Sequence, residues 1–161
     1  MLALRKRLKT FVQTALLENE RYSLMDAFLS KYSPYIYAVL RIVVGLMFAM
    51  HGSQKIFGIP GNKPTVPLVS LMGFGGLIEL VGGLMIALGL LASYAAFIAS
   101  GEMAVAYFML HAAQGFLPIV NHGELAVLYC FLFLYIAARG AGVWSIDTLT
   151  SRTGAKSAVQ N

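Results

Sequence analysis

The stretch Arg41–Gly58, RIVVGLMFAMHGSQKIFG, reads as an apolar helix that opens on one arginine and closes on a polar knot: His51, Gly52, Ser53, Gln54 and Lys55. A run this apolar asks for lipid or a deep core, yet Arg41, His51 and Lys55 each resist burial there. Ionisable residues inside a membrane span are expensive, so they face the protein interior and find partners. The remainder of the chain is a set of similar segments that supply them.

Working outward, Pro34 stands where the first span would start, at the first turn of a helix. The span runs from Tyr35 to about Phe57. Gly58, Pro60, Gly61, Pro64 and Pro67 punctuate a loop. A second span covers about Leu68 to Leu91, and a brief Ala92-Ser93 break leads to a third, about Tyr94 to Leu110. The loop His111–Glu124 carries Gly115, Pro118 and Gly123. A fourth span covers about Leu125 to Ala138, or to Val143 if Arg139 snorkels. A span needs about 20 apolar residues, so the expectation is an all-α transmembrane four-helix bundle. It occupies 35–143, between a basic, amphipathic N-terminal segment (1–34) and a polar C-terminal tail (144–161) expected to be unstructured.

Composition agrees. The chain has 161 residues, 58% hydrophobic and 12% charged, about half the charge of an ordinary soluble domain. The mean hydropathy is +0.73. Six Lys and Arg precede the first span (Arg5, Lys6, Arg7, Lys9, Arg21 and Lys31) and three follow the fourth (Arg139, Arg152 and Lys156), against Lys55 and Lys63 in the first loop. Nine against two predicts a multi-pass protein with both termini cytoplasmic. Leu4, Leu8, Phe11, Val12 and Ala15 fall at helical spacing among the basic residues, which suits a helix lying on an anionic membrane surface, with a partly disordered tail as the alternative. No uninterrupted apolar stretch follows that cluster, so a cleaved signal peptide is not expected. Cys130 stands alone inside an apolar run, which excludes a disulfide or a CxxC pair within one chain.

Five polar positions within the spans need partners. At about 1.5 Å per residue, Arg41 lies about 9 Å and Glu102 about 12 Å from the cytoplasmic end, with Glu79 at about 18–20 Å and His51 at about 24 Å. On that reckoning Arg41 meets Glu102 in a structural ion pair that fixes helix register, and Glu79 meets His51 or Gln54. The outer end gathers His51, Lys55, His111, Asn121, His122 and Glu124. Glu79 could carry protons, hydrogen-bond a headgroup, or simply pack. The histidines lack HExxH or other metal spacing, and no nucleotide-binding loop is present. Gly75, Gly82 and Gly89, seven apart, with Gly76 and Gly83 beside them, predict close helix packing.

Taken together, RIVVGLMFAMHGSQKIFG, GGLIELVGGLMIALGLL, ASGEMAVAYFMLH and NHGELAVLYCFLFLYIAARGAGVWSID resemble the DoxX family of small bacterial membrane proteins over about residues 40–148. The resemblance implies a four-helix bundle in the bacterial inner (cytoplasmic) membrane and a polar core at Arg41, His51, Gln54, Lys55, Glu79, Glu102, His111, Asn121 and Glu124, with Asp147 capping or anchoring at the inner surface. One branch, DoxD, is a subunit of a thiosulfate:quinone oxidoreductase, from which this chain departs in lacking a fused second domain. Other members are linked to membrane oxidoreductase complexes handling oxidative or thiol stress. The implied function is a membrane component of an oxidoreductase system, with a quinone as candidate cofactor and an in-membrane polar cluster that binds a small molecule or relays protons. The alternative is a non-catalytic scaffold or chaperone-like subunit. The implied partners are the lipid bilayer and, as candidates, a redox partner protein or further copies of the chain, with no nucleic acid.

Overall fold

The computed structural model describes residues 2–151, with side chains described for Arg7 and from Met25 onward. The amphipathic face expected around Leu4–Ala15 and the last ten residues of the tail therefore lie outside the described residues. The chain divides into two compact units, Met1–Ile36 and Tyr37–Asn161.

The first helix, α1, runs from Leu2 to Phe57. It passes through Pro34 rather than starting there. Proline removes one N–H from the ladder, a loss that a long apolar helix tolerates. Within the first unit, Phe28 and Tyr32 meet edge to face at 5.2 Å, and Ser30 Oγ bonds the Ala27 carbonyl at 3.1 Å.

In the second unit, α2 (Leu71–Leu88) and α3 (Ala92–Gln114) join α1 to make three helices long and apolar enough to cross a membrane; the first such stretch is Met25–Phe57. A single helical turn, α4 (Pro118–Asn121), precedes α5 (Glu124–Arg139), whose 16 residues extend about 24 Å. A short helix, α6, covers 146–151. No strand occurs among the described residues.

Each helix start and stop has a local cause. Ser70 caps α2, its Oγ accepting from Gly73 N at 3.0 Å. Gly89, at φ +69°, ends α2 in a Schellman turn: Leu90 N bonds Met85 O at 2.9 Å and Gly89 N bonds Ile86 O at 3.1 Å. The core sits where α1, α3 and α5 face one another. There Phe48 and Phe133 pack at 4.6 Å, and Tyr129 stacks on Phe133 at 5.4 Å. Ser100 Oγ ties α3 to the Cys130 carbonyl of α5 at 2.8 Å.

The glycines that bring α1 and α2 together are Gly45 and Gly52 on one side and Gly76 and Gly83 on the other. A Cβ on Gly45 would lie 2.6 Å from Ala87 N, and one on Gly83 would lie 2.5 Å from Ala49 N. This corrects the expectation for Gly82, where a Cβ would meet nothing within 4 Å. The seven-residue period is real, but its close contact falls on the neighbouring helical position.

The segment after Trp144, expected to be unstructured, is folded through Ser151. Ser145 Oγ bonds Gly142 O at 2.7 Å and accepts from Thr148 N at 3.3 Å, capping α6. Asp147 then accepts from Leu91 N at 2.8 Å and Ala92 N at 3.1 Å, placing a carboxylate on the positive N-terminal end of α3. The anchoring expected of Asp147 thus has a concrete form.

Candidate functional site

Arg41 is fully buried, and it does not pair with Glu102. Its Nη1 donates to Ile86 O at 2.7 Å and Ala87 O at 2.9 Å, and its Nη2 donates to Trp144 O at 2.7 Å. The last carbonyls of a helix lack intrahelical donors and carry its negative end. Arg41 therefore holds the C-terminus of α2 while Asp147 holds the N-terminus of α3. Depth counting failed here because it paired side chains, whereas the partners of Arg41 are backbone carbonyls. Arg41 stands level with the end of α2, whereas Glu102 faces Gly75, eleven residues or about 16 Å back along α2.

The ion pair that does form among the described residues is Lys55–Glu79, Nζ to Oε1 at 2.8 Å. Glu79 thus meets Lys55 rather than His51 or Gln54. Its side chain is 5% exposed and that of Lys55 26%. Beside this pair lies a cavity of about 300 Å³, lined by Lys55, Glu79, His51, His111, His122 and Tyr129 among apolar residues that include Phe48 and Met103. All three histidines thus line one space, His51 lying edge-on to Tyr129 at 6.2 Å. His111 Nδ1 is 3.0 Å from the Asn121 carbonyl. A carbonyl only accepts, so Nδ1 carries the proton and the ring's other nitrogen, Nε2, is left for a further partner. Among the described residues no three His, Cys, Asp or Glu side chains group as metal ligands.

Two polar atoms of residues lining this cavity, Glu79 Oε2 and Tyr129 Oη, are buried without a hydrogen-bond partner among the described residues. Such atoms are exceptional in folded proteins and each calls for an explanation. Backbone irregularity brings the chemistry here. Glu79 lies in a π-helical turn, Ile78–Gly82, and His111 ends another, Tyr107–His111. Extra-wide turns of this kind shift the side chains that follow and recur at functional sites.

Other expected site residues are engaged elsewhere. Gln54 Nε2 bonds Pro60 O at 2.9 Å, stapling the first loop. Asn121 organises the loop between α3 and α5: its Nδ2 donates to Gly115 O at 2.5 Å and its Oδ1 accepts from Gly123 N at 2.8 Å. In the same loop the Tyr107 hydroxyl donates to the Phe116 carbonyl. Glu124 is exposed in the first turn of α5, where a carboxylate suits the helix dipole. Tyr129 was missed by sequence reasoning, although a tyrosine within the apolar run of the fourth segment was its available signal.

Replacing Lys55 by methionine is expected to cost about 3 kcal/mol, near the low end for a broken buried pair because Lys55 keeps some exposure. Adding Glu79→Gln should recover most of that loss. Thermal unfolding of the two single variants and the double variant in detergent checks it; additive losses would mean the contact carries no coupling.

Comparison with known proteins adds the lineage. The DoxX family model matches residues 36–112, from α1 through the second π turn. A Haemophilus influenzae protein described as uncharacterized is 48% identical over 127 residues, covering 74% of this chain and 93% of that relative. No solved structure matches. The matched span carries Arg41, the Lys55–Glu79 pair and most of the three helices apolar enough to cross a membrane: the chain belongs to the DoxX family and is an integral membrane protein.

Proposed function

We propose that this protein is a four-span component of an oxidoreductase system in the bacterial cytoplasmic membrane, with both termini inside, and that the cavity beside Glu79 takes the headgroup of a quinone-like redox carrier. One observation carries the reading: Glu79 and Tyr129, which line a mostly apolar cavity ringed by three histidines, each hold a buried polar atom, Oε2 and Oη, with no hydrogen-bond partner among the described residues. Ligand sites have this character, apolar walls with a few convergent polar groups. Tyr129 would donate to a headgroup carbonyl, and Lys55–Glu79 and His111 Nε2 would hold and pass protons. Reduction of a quinone to its quinol consumes two electrons and two protons. The electrons would come from a redox partner protein, since Cys130 has no second cysteine with which to form a dithiol.

The fourth crossing is α5. Its 16 residues are short for a span, but Arg139 at its end bonds Tyr135 Oη at 2.6 Å and lies 4.4 Å over the Tyr37 ring. A snorkelling arginine of this kind extends the usable apolar length. The lysine and arginine imbalance gives the orientation.

Tyr129→Phe separates binding from folding. Its hydroxyl has no partner among the described residues, so stability should hold within about 0.5 kcal/mol. Affinity for a short-chain quinone, measured by equilibrium dialysis, should fall about tenfold, the worth of one hydrogen bond of about 1.4 kcal/mol. Unchanged affinity would remove the cavity from the reading and favour the non-catalytic scaffold.

A further inference from the structure

On the other side of Lys55 lies a second cavity, of about 250 Å³, between α2 and α3. Its walls are apolar apart from Lys55 and Glu102. The two cavities share Lys55, Met72, Ala106 and Leu110, and the lysine ammonium is turned to Glu79. Glu102 is left without that cation, and its Oε2 is buried with no hydrogen-bond partner among the described residues. Space has been kept for this carboxyl: a Cβ on Gly75 would stand 3.1 Å from Glu102 Oε1, tighter than most real contacts. Leu71, Phe74, Ile98, Val105 and Met109, also lining residues, are exposed on the outer surface of the helices. In a membrane protein those side chains meet lipid, so the cavity opens toward the bilayer rather than toward water.

A buried carboxyl oxygen without a partner is costly, and a ligand that hydrogen-bonds it recovers the loss. The apolar surroundings decide what else that ligand must be. We propose that the Glu102 cavity is a second binding site, taking from the lipid phase an amphiphile with one hydrogen-bonding head, a hydroxyl or carbonyl, on an apolar body. The head meets Glu102 and the body lies against α2 and α3. This site stands whether or not the Glu79 cavity holds a quinone.

The test uses the full-length protein in lipid nanodiscs and a hydrophobic carbodiimide, dicyclohexylcarbodiimide, as probe. The reagent takes the carboxyl proton and adds whole to the carboxyl oxygen, so the labelled peptide gains the reagent's full mass. Peptide mass spectrometry should place the label on Glu102, with none there from a water-soluble carbodiimide. Dodecanol should slow the labelling severalfold, and dodecane, which lacks the hydroxyl, should not. Assignment on the wild-type peptide leaves the result independent of whether Glu102→Gln folds. Absence of label on Glu102, equal labelling by the water-soluble reagent, or no protection by dodecanol would each overturn the proposal.

Discussion

Arg41→Met is expected to destabilise the protein by roughly 3–5 kcal/mol, more than the loss of the Lys55–Glu79 pair. Each hydrogen bond from a charged donor contributes about 1.5–3 kcal/mol, and Arg41 makes three to backbone carbonyls. Partial relaxation keeps the loss below their sum. Methionine fills similar space but leaves Ile86 O, Ala87 O and Trp144 O without that donor, and it removes the cation at the end of α2. Arg41→Lys should recover less than half, because an ammonium cannot span carbonyls of two segments as the planar guanidinium does. Unfolding in detergent, by heat or by titrated denaturant, measures both. Glu102→Gln is the informative control: were Arg41 paired with Glu102, the two variants would be damaged alike, whereas the geometry predicts a much smaller loss for Glu102→Gln.

Gly52→Ala is expected to cost about 2–3 kcal/mol, the upper part of the range for overpacking. The added methyl would strike Leu80 N and come within 2.5 Å of Gly76 O, both backbone atoms that no side-chain rotation can clear. Relief requires α1 and α2 to separate, which also loosens Lys55 from Glu79. Gly45→Ala should act similarly, and the double variant should lose less than the sum, since the first separation relieves the second clash. Gly101→Ala meets nothing within 4 Å and should be neutral or slightly stabilising. Equal losses at Gly52 and Gly101 would show that α1 and α2 approach less closely than these distances require.

The same two positions show how far the sequence could be read. Apolar length and turn residues found the helices, because membrane spans and glycine–proline loops are written in composition. Glycine spacing announced a close approach, but which glycines touch depends on helix rotation, which sequence does not state; Gly76 and Gly83 touch α1 and Gly82 does not. Pairing by depth failed for Arg41 because its partners are carbonyls, and every residue has a carbonyl. Asp147 was readable as an anchor, though its targets, Leu91 N and Ala92 N, lie more than fifty residues earlier. Of the site residues, His51, Lys55, Glu79 and His111 were legible as ionisable residues out of place in apolar segments. The π turns that carry Glu79 and His111 have no sequence signature, so the cavity itself was not.

The most direct test of the central claim is mass spectrometry of the small molecules that stay with the protein when it is extracted gently from its own membrane. Wild type should retain a quinone near one per chain, and both Tyr129→Phe and Glu79→Gln should lose it while keeping their helical content. Wild-type protein carrying no quinone, or both variants retaining it unchanged, would contradict the account and return Glu79 and Tyr129 to architecture.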